Sequence, residues 1–232
     1  FNVLNGDKDA VNFLIRNDKV SSISFVGSTP VAKYIYEESA KYHKRVQALG
    51  GAKNHLVVMP DANLDQAIDG IIGAAYGSAG ERCMAISVAV AVGNIADKLK
   101  DGIAEKAQKL NVGPWTNENI DMGPVITKDH KIKIEKYISQ GINEGADLVL
   151  DGRNFKIQGY ENGNFIGPTL FDNVKKDMSI YKDEIFGPVL SVVRAKNYEE
   201  ALDLVNNHKF GNGTSLYTSN GETSRHFTTN CK

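Results

Sequence analysis

Cysteine, proline and tryptophan are scarce in this chain: 2 Cys, 6 Pro and 1 Trp in 232 residues. Cys83 and Cys231 lie too far apart in sequence to form a disulfide framework or a four-ligand zinc site, and the pair fits a reducing compartment. A cytoplasmic location is expected, or the mitochondrial matrix in a eukaryote. His43, His55, His130, His208 and His226 show no H-x-x-x-H or C-x-x-C spacing, so no metal site is expected. Net charge is also nearly lacking, with 27 Lys+Arg against 28 Asp+Glu. Without a basic excess, nucleic acid and anionic membrane are not expected partners. The longest strongly apolar run, Ala85 to Gly93, is about half of the roughly 20 residues a membrane span requires. The opening FNVLNG has no basic n-region and no apolar h-region, and reads as a chain cut into mid-fold.

What is present is an ordinary globular composition, 41% hydrophobic and 24% charged. A chain of this length buries roughly 70% of its unfolded surface and needs no covalent staple. Short β-branched runs alternate with helical patterns, which predicts an α/β fold with mostly parallel strands. Strands are predicted at Phe1 to Leu4, Ser21 to Val26, Arg45 to Leu49, His55 to Met59, Ala85 to Val92, Asp147 to Leu150, Val189 to Arg194 and Thr214 to Thr218. Helices are predicted at Asp7 to Ile15, from Val31 onward, from Leu64 onward, at Ala96 to Leu110 and at Lys128 to Asn143. The Leu64 helix carries Ala67, Ile68, Ile71, Ile72 and Ala75 on one face. Asn212-Gly213 and Asn220-Gly221 are turn signals. A hand-over between domains is expected at Gly50-Gly51.

Three segments hold residues capable of chemistry. In FVGSTPVA, Phe25 to Ala32, Gly27 precedes candidate N-caps Ser28 and Thr29, with Pro30 at a first helical position. The free N–H groups of such a helix start suit a pyrophosphate, but on these residues alone a plain capped turn is the preferred reading. Cys83 follows Gly80-Glu81-Arg82, where a thiol is reachable and either Arg82 or oriented N–H groups favour its thiolate. A lone cysteine also serves as a small buried hydrophobe, and Cys231 is read that way. In KDEIFGPVL, Lys182 to Leu190, Glu184 is either a solvated edge charge or an acceptor for ribose hydroxyls, with Phe186 beside the base.

FVGS at Phe25 to Ser28, LGGAK at Leu49 to Lys53, GERC at Gly80 to Cys83 and EIFGPV at Glu184 to Val189 follow the order of motifs in the aldehyde dehydrogenase superfamily. The chain resembles its methylmalonate/malonate-semialdehyde branch through GAKNH (Gly51 to His55), PDAN (Pro60 to Asn63), GSAGERCMA (Gly77 to Ala85) and GYENGNFIGPT (Gly159 to Thr169). The resemblance runs over essentially the whole chain. It implies an α/β fold in which residues 1–51 are the C-terminal part of an incomplete NAD-binding domain with its βαβ region. Residues 52–232 are then a three-layer α/β catalytic domain, incomplete at its C-terminus. It implies Cys83 as nucleophile, with its N–H forming half of an oxyanion hole. Ser28 would contact the NAD pyrophosphate, Glu184 the nicotinamide ribose, Phe186 would pack beside the nicotinamide, and Gly27 and Gly50 would also belong to the cofactor-binding residues.

Ala48 occupies the position where hydrolytic members of the superfamily carry a glutamate that activates water. Without that carboxylate an incoming thiol is the better acceptor, so CoA is the expected co-substrate. Arg82 is expected to hold the carboxylate of a semialdehyde substrate, a surface or structural arginine being the alternative. The implied reaction is NAD-dependent oxidation of methylmalonate or malonate semialdehyde to a CoA thioester, with decarboxylation. A hydrolytic enzyme and a catalytically silent truncated module are the competing readings. Ala32 departs from the family's second glycine. The family's oxyanion-hole asparagine and subunit-pairing strand are expected outside Phe1 to Lys232, so the segment alone is expected to be nearly inactive. A homo-oligomer, a dimer of dimers, is implied for the full protein.

Overall fold

The computed structural model describes residues 1–232, which fold as two compact units, Phe1–Gly51 and Ala52–Lys232. The first contains α1 (Lys8–Arg16), β1 (Ser22–Val26), α2 (Thr29–Lys41) and β2 (Arg45–Leu49). β1 and β2 pair in parallel from Ser22 opposite Arg45 to Val26 opposite Leu49, so this is a β-α-β unit. Ile15, Ala32 and Ile35 are its buried apolar side chains, and Glu38 is tied to Arg16 and Lys41 at 3.1 and 3.0 Å. Residues 1–4, predicted as a strand, form none and are exposed. A β-branched run becomes a strand only where a neighbour completes its hydrogen-bond ladder, and β1 and β2 pair only with each other.

The second unit is built on a six-stranded sheet in the order β5-β6-β7-β4-β3-β8. Its strands are β3 (Asn54–Val58), β4 (Ile86–Val92), β5 (Asp147–Leu150), β6 (Thr169–Asp172), β7 (Val189–Ala195) and β8 (Thr214–Tyr217). All pairings are parallel except β5 with β6 at the edge. Every residue of β3 and β6, and nearly every residue of β4 and β7, is buried, as expected of strands covered on both faces. The cover comes from α3 (Leu64–Tyr76), α4 (Ala96–Gln108), α5 (Lys128–Asn143), the single turn α6 (Ser179–Lys182), α7 (Tyr198–Asn206) and α8 (Gly221–Asn230).

β6, α6, α7 and α8 are additions to the sequence-based expectation. β6 is four residues long and wholly buried, so it shows no alternation to read. For α7 a signal exists: Asn197 caps the Glu200 N–H, and Glu200 returns a bond to the Lys196 N–H. Asn220-Gly221, predicted as a turn, starts α8, because the Asn220 side chain accepts from the Glu222 and Thr223 N–H groups.

At the end of β7, Arg194 makes two bonds to the buried Asp172, at 3.1 and 2.6 Å, and one of 2.6 Å to the exposed Asp97. The two carboxylates therefore differ in what they lose when the guanidinium goes. Urea unfolding of Arg194→Met should show a loss of about 2 kcal/mol or more, because a buried charge is left unpaired. Asp97→Asn should cost under about 1 kcal/mol, as an exposed pair does. Equal costs would contradict this reading of the pair.

Candidate active site around Cys83

α3 ends at Tyr76, whose buried hydroxyl donates to the Thr169 carbonyl at 3.1 Å. The chain then makes a left-handed turn: Ser78, Ala79 and Gly80 have φ of 51, 53 and 69°. For Ser78 and Ala79 this costs roughly 1–2 kcal/mol each, the kind of strain found at functional sites. Gly80 fits for a second reason, since a Cβ there would lie 2.3 Å from the Gly187 carbonyl oxygen. The backbones of the Cys83 loop and the Glu184–Gly187 segment meet at that point.

Beyond Gly80, Arg82 to Ala85 form a β-turn closed by the Ala85 N–H on the Arg82 carbonyl at 3.0 Å. Cys83 is a central residue of this turn, and it is exposed. Because a trans peptide points its N–H opposite its C=O, the bond to the Arg82 carbonyl turns the Cys83 N–H away from the turn. That N–H has no partner in the chain. Thiol and free N–H thus occur on one exposed residue, as nucleophilic attack with oxyanion stabilisation requires.

Glu184 and Phe186 line the same cleft as Cys83, a narrow space of about 20 Å³. Glu184 Oε1 accepts from the Ala52 N–H at 3.0 Å, and Oε2 remains available. Phe186 is 36% exposed with φ 59°, and its carbonyl accepts from His130 Nε2–H at 2.6 Å. His130 also lies 3.4 Å from Glu81, whose carboxylate accepts from the Ile126 N–H. A larger hollow of about 530 Å³ between α7 and α8 contains none of the residues predicted for the site.

Arg82 extends back along α3, donating to the Gly73 carbonyl at 2.7 Å with its guanidinium over Gly77. One N–H bond is used and the side chain is exposed. In the first unit, Ser28 holds the N-cap position of α2 without a side-chain cap bond, so its hydroxyl is uncommitted. Thr29 Oγ1 instead accepts from the Gly51 N–H at 3.0 Å, and a Cβ on Gly50 would come within 2.9 Å of that oxygen. The Gly27 N–H donates to the Leu49 carbonyl. A free hydroxyl at a helix start between two close backbone turns suits a pyrophosphate, and the open Glu184 Oε2 suits ribose hydroxyls. Each set, taken within its own unit, suits one part of a dinucleotide.

Sequence reasoning missed the residues that hold this site in place. Lys53, buried, donates to the Ile180 and Asp183 carbonyls at 2.7 and 2.8 Å. Asn54, also buried, donates to the carbonyls of Cys83 and Ala85 at 2.8 Å each. His55 donates from Nδ1 to the Lys53 carbonyl, with Nε2 facing the Tyr181 hydroxyl. The only trace in sequence is their place in GAKNH.

Burial lowers the Lys53 ammonium to about 7, partly opposed by the negative charges of Asp183 and Glu184. Between about 7 and the unfolded value of 10.5 the unfolded chain binds the extra proton, so stability rises with pH across that window. Denaturant midpoints should climb from pH 7 to 9.5 in the wild type, and Lys53→Met should lose that component of the slope. An unchanged slope would remove Lys53 from the account.

The sequence profile of the aldehyde dehydrogenase family matches residues 1–232. A malonate-semialdehyde dehydrogenase of Pseudomonas aeruginosa is 54% identical over 97% of the chain, and one of Halalkalibacterium halodurans 50% identical over 97%. In each case the match covers 46% of the relative, so the chain spans about half the length of these proteins. A protein of Sinorhizobium meliloti 1021 assigned to methylmalonate-semialdehyde dehydrogenase and solved with NAD superposes at TM-score 0.96. It shares 56% identity, over 97% of this chain and 46% of that one. The methylmalonate-semialdehyde dehydrogenase of Oceanimonas doudoroffii also superposes at 0.96, with 51% identity over 98% of this chain and 47% of its own. With the family profile matched from the first residue to the last, this chain belongs to the aldehyde dehydrogenase family.

Proposed function

We propose that the chain carries the nucleophile and cofactor contacts of an NAD-dependent, CoA-acylating oxidation of a carboxylated semialdehyde, malonate or methylmalonate semialdehyde. The observation that carries this is Cys83, exposed on a closed turn with its N–H free, in one cleft with Glu184 and Phe186. The names of the similar dehydrogenases point to the same substrate class. An intracellular homo-oligomer belongs to the same reading.

The Cys83 thiolate adds to the aldehyde carbon, forming a C–S bond, and the carbonyl oxygen becomes an alkoxide that the Cys83 N–H stabilises. NAD, when bound, supplies the acceptor for the hydride that leaves this carbon. Ser28 and the start of α2 would hold its pyrophosphate, Glu184 Oε2 would hold its ribose, and Phe186 would pack beside its ring. The acyl group is left on Cys83 as a thioester. Ala48 in β2 has no ionisable group, so the chain provides no carboxylate there to activate water. The bond between the α-carbon and the substrate carboxylate breaks, carbon dioxide leaves, and the resulting thioester enolate takes a proton from water; CoA thiolate then adds to the thioester carbonyl and displaces the Cys83 thiolate. Arg82 holds that carboxylate through the guanidinium N–H groups not engaged with Gly73.

Steady-state NADH formation by the full protein tests this. Formation should depend on CoA, and full turnover without CoA would replace the reading with a hydrolytic one. Arg82→Gln should raise KM for the carboxylated semialdehyde about 10- to 100-fold, the worth of a charge-assisted hydrogen bond. KM for propanal should stay unchanged. Equal effects on both aldehydes would leave Arg82 a purely structural role at Gly73.

A further inference from the structure

The Cys83 carbonyl accepts two side-chain hydrogen bonds. Asn54 Nδ2 donates to it at 2.8 Å and Asn212 Nδ2 at 2.7 Å. Each amide is itself anchored. Asn54 is buried at the start of β3; it also donates to the Ala85 carbonyl, and its Oδ1 accepts from the Gly213 N–H at 2.9 Å. Asn212, next to Gly213, approaches the Met84 sulfur at 3.1 Å. The two donors come from segments 29 and 129 residues away and converge on one atom of one turn.

The atom they converge on belongs to the Cys83–Met84 peptide, the central peptide of the Arg82–Ala85 turn. Such a peptide has two orientations, types I and II, related by a flip of about 180° that changes ψ of the first central residue and φ of the second. In this turn the first central residue is Cys83. A flip would swing its carbonyl away from both amides and drive Met84, which has no positive φ here, into the left-handed region. The flip turns only the peptide between the Cys83 and Met84 Cα atoms, so what the amides hold is the carbonyl end of Cys83, tying the residue that carries Sγ to β3 and to the Asn212–Gly213 segment.

We infer that Asn54 and Asn212 form an amide clamp that locks the central peptide of the nucleophile's turn, making them positioning residues for acyl transfer at Cys83. The inference rests on the proposed role of Cys83. It assigns the clamp no contact with substrate or cofactor. Its effect is on the reacting step, because it fixes where Cys83 sits against β3, and it bonds to neither Glu184 nor Ser28.

Asn212 permits a clean test. It is exposed and has φ 109°, a conformation glycine adopts freely, so Asn212→Gly removes the donor without straining the backbone. Asn212→Asp keeps the shape and loses the donor. If Asn212 only shapes its own turn, both variants react as the wild type does. The clamp predicts that in the full protein both slow the single-turnover burst of NADH about tenfold or more, as small misplacements of reacting groups do. KM for NAD and the melting temperature should be little changed. Asn54→Asp should slow the burst further, with or without loss of stability. The same samples are labelled with iodoacetamide. Wild-type Cys83 should react in preference to Cys231 and be protected by aldehyde; without that preference, the role of Cys83 and the clamp with it are overturned. Preferential labelling with an unchanged burst in Asn212→Gly and Asn212→Asp overturns the clamp alone.

Discussion

Two glycine backbones in contact, Gly80 and Gly187, set the geometry of everything at this site. Gly80 has the left-handed φ of 69° and no room for a Cβ against the Gly187 carbonyl. The strained turn at Ser78 and Ala79 leads into this contact, and the Cys83 turn starts two residues later. On the other side of the contact lie Glu184 and Phe186. A side chain at residue 80 would push these walls apart, and the cleft that puts a thiol beside a carboxylate and an aromatic ring would open.

Three consecutive residues at the start of β3 hold the two walls at fixed positions. The Ala52 N–H binds the Glu184 carboxylate, Lys53 binds the carbonyls of Ile180 and Asp183, and Asn54 binds the carbonyls of Cys83 and Ala85. The chain leading into β3 thus binds the Glu184 side of the cleft with two residues and the Cys83 side with the third. Such anchoring is strong because it is buried: a lysine and an asparagine shielded from water give their bonds at low effective dielectric. The same burial makes Lys53 sensitive to pH near neutrality. Rigid strands supply the scaffold, and Cys83, Glu184 and Phe186 sit on the loops that lead into β4 and β7.

Long periodic elements were legible in the sequence. The Leu64 helix and the apolar run of β4 appear where spacing puts them, because their burial is regular. β6 was not legible, since four residues buried on both faces leave no period. α8 was hidden by an Asn-Gly pair that reads as a turn and acts as a helix cap. At the site, Cys83 stood out through its glycine and charged neighbours, and Glu184 and Phe186 through the EIFGPV motif. Asn54 and Asn212 gave no such sign, because what they bind lies far along the chain and only the fold brings it near. Arg82 was legible as a cation beside a nucleophile, but its bond to the Gly73 carbonyl was not.

The central claim is that the close approach at Gly80 places the Cys83 sulfur where an aldehyde carbon is oxidised. Peptide mapping of the full protein after incubation with semialdehyde and NAD, in the absence of CoA, addresses it directly, with Gly80→Ala run in parallel. The account predicts an acyl mass on the peptide containing Cys83 and none on that containing Cys231. It predicts that Gly80→Ala, still folded by circular dichroism, acylates up to about a hundredfold more slowly. Acylation at another residue, or an equal rate in Gly80→Ala, would contradict it.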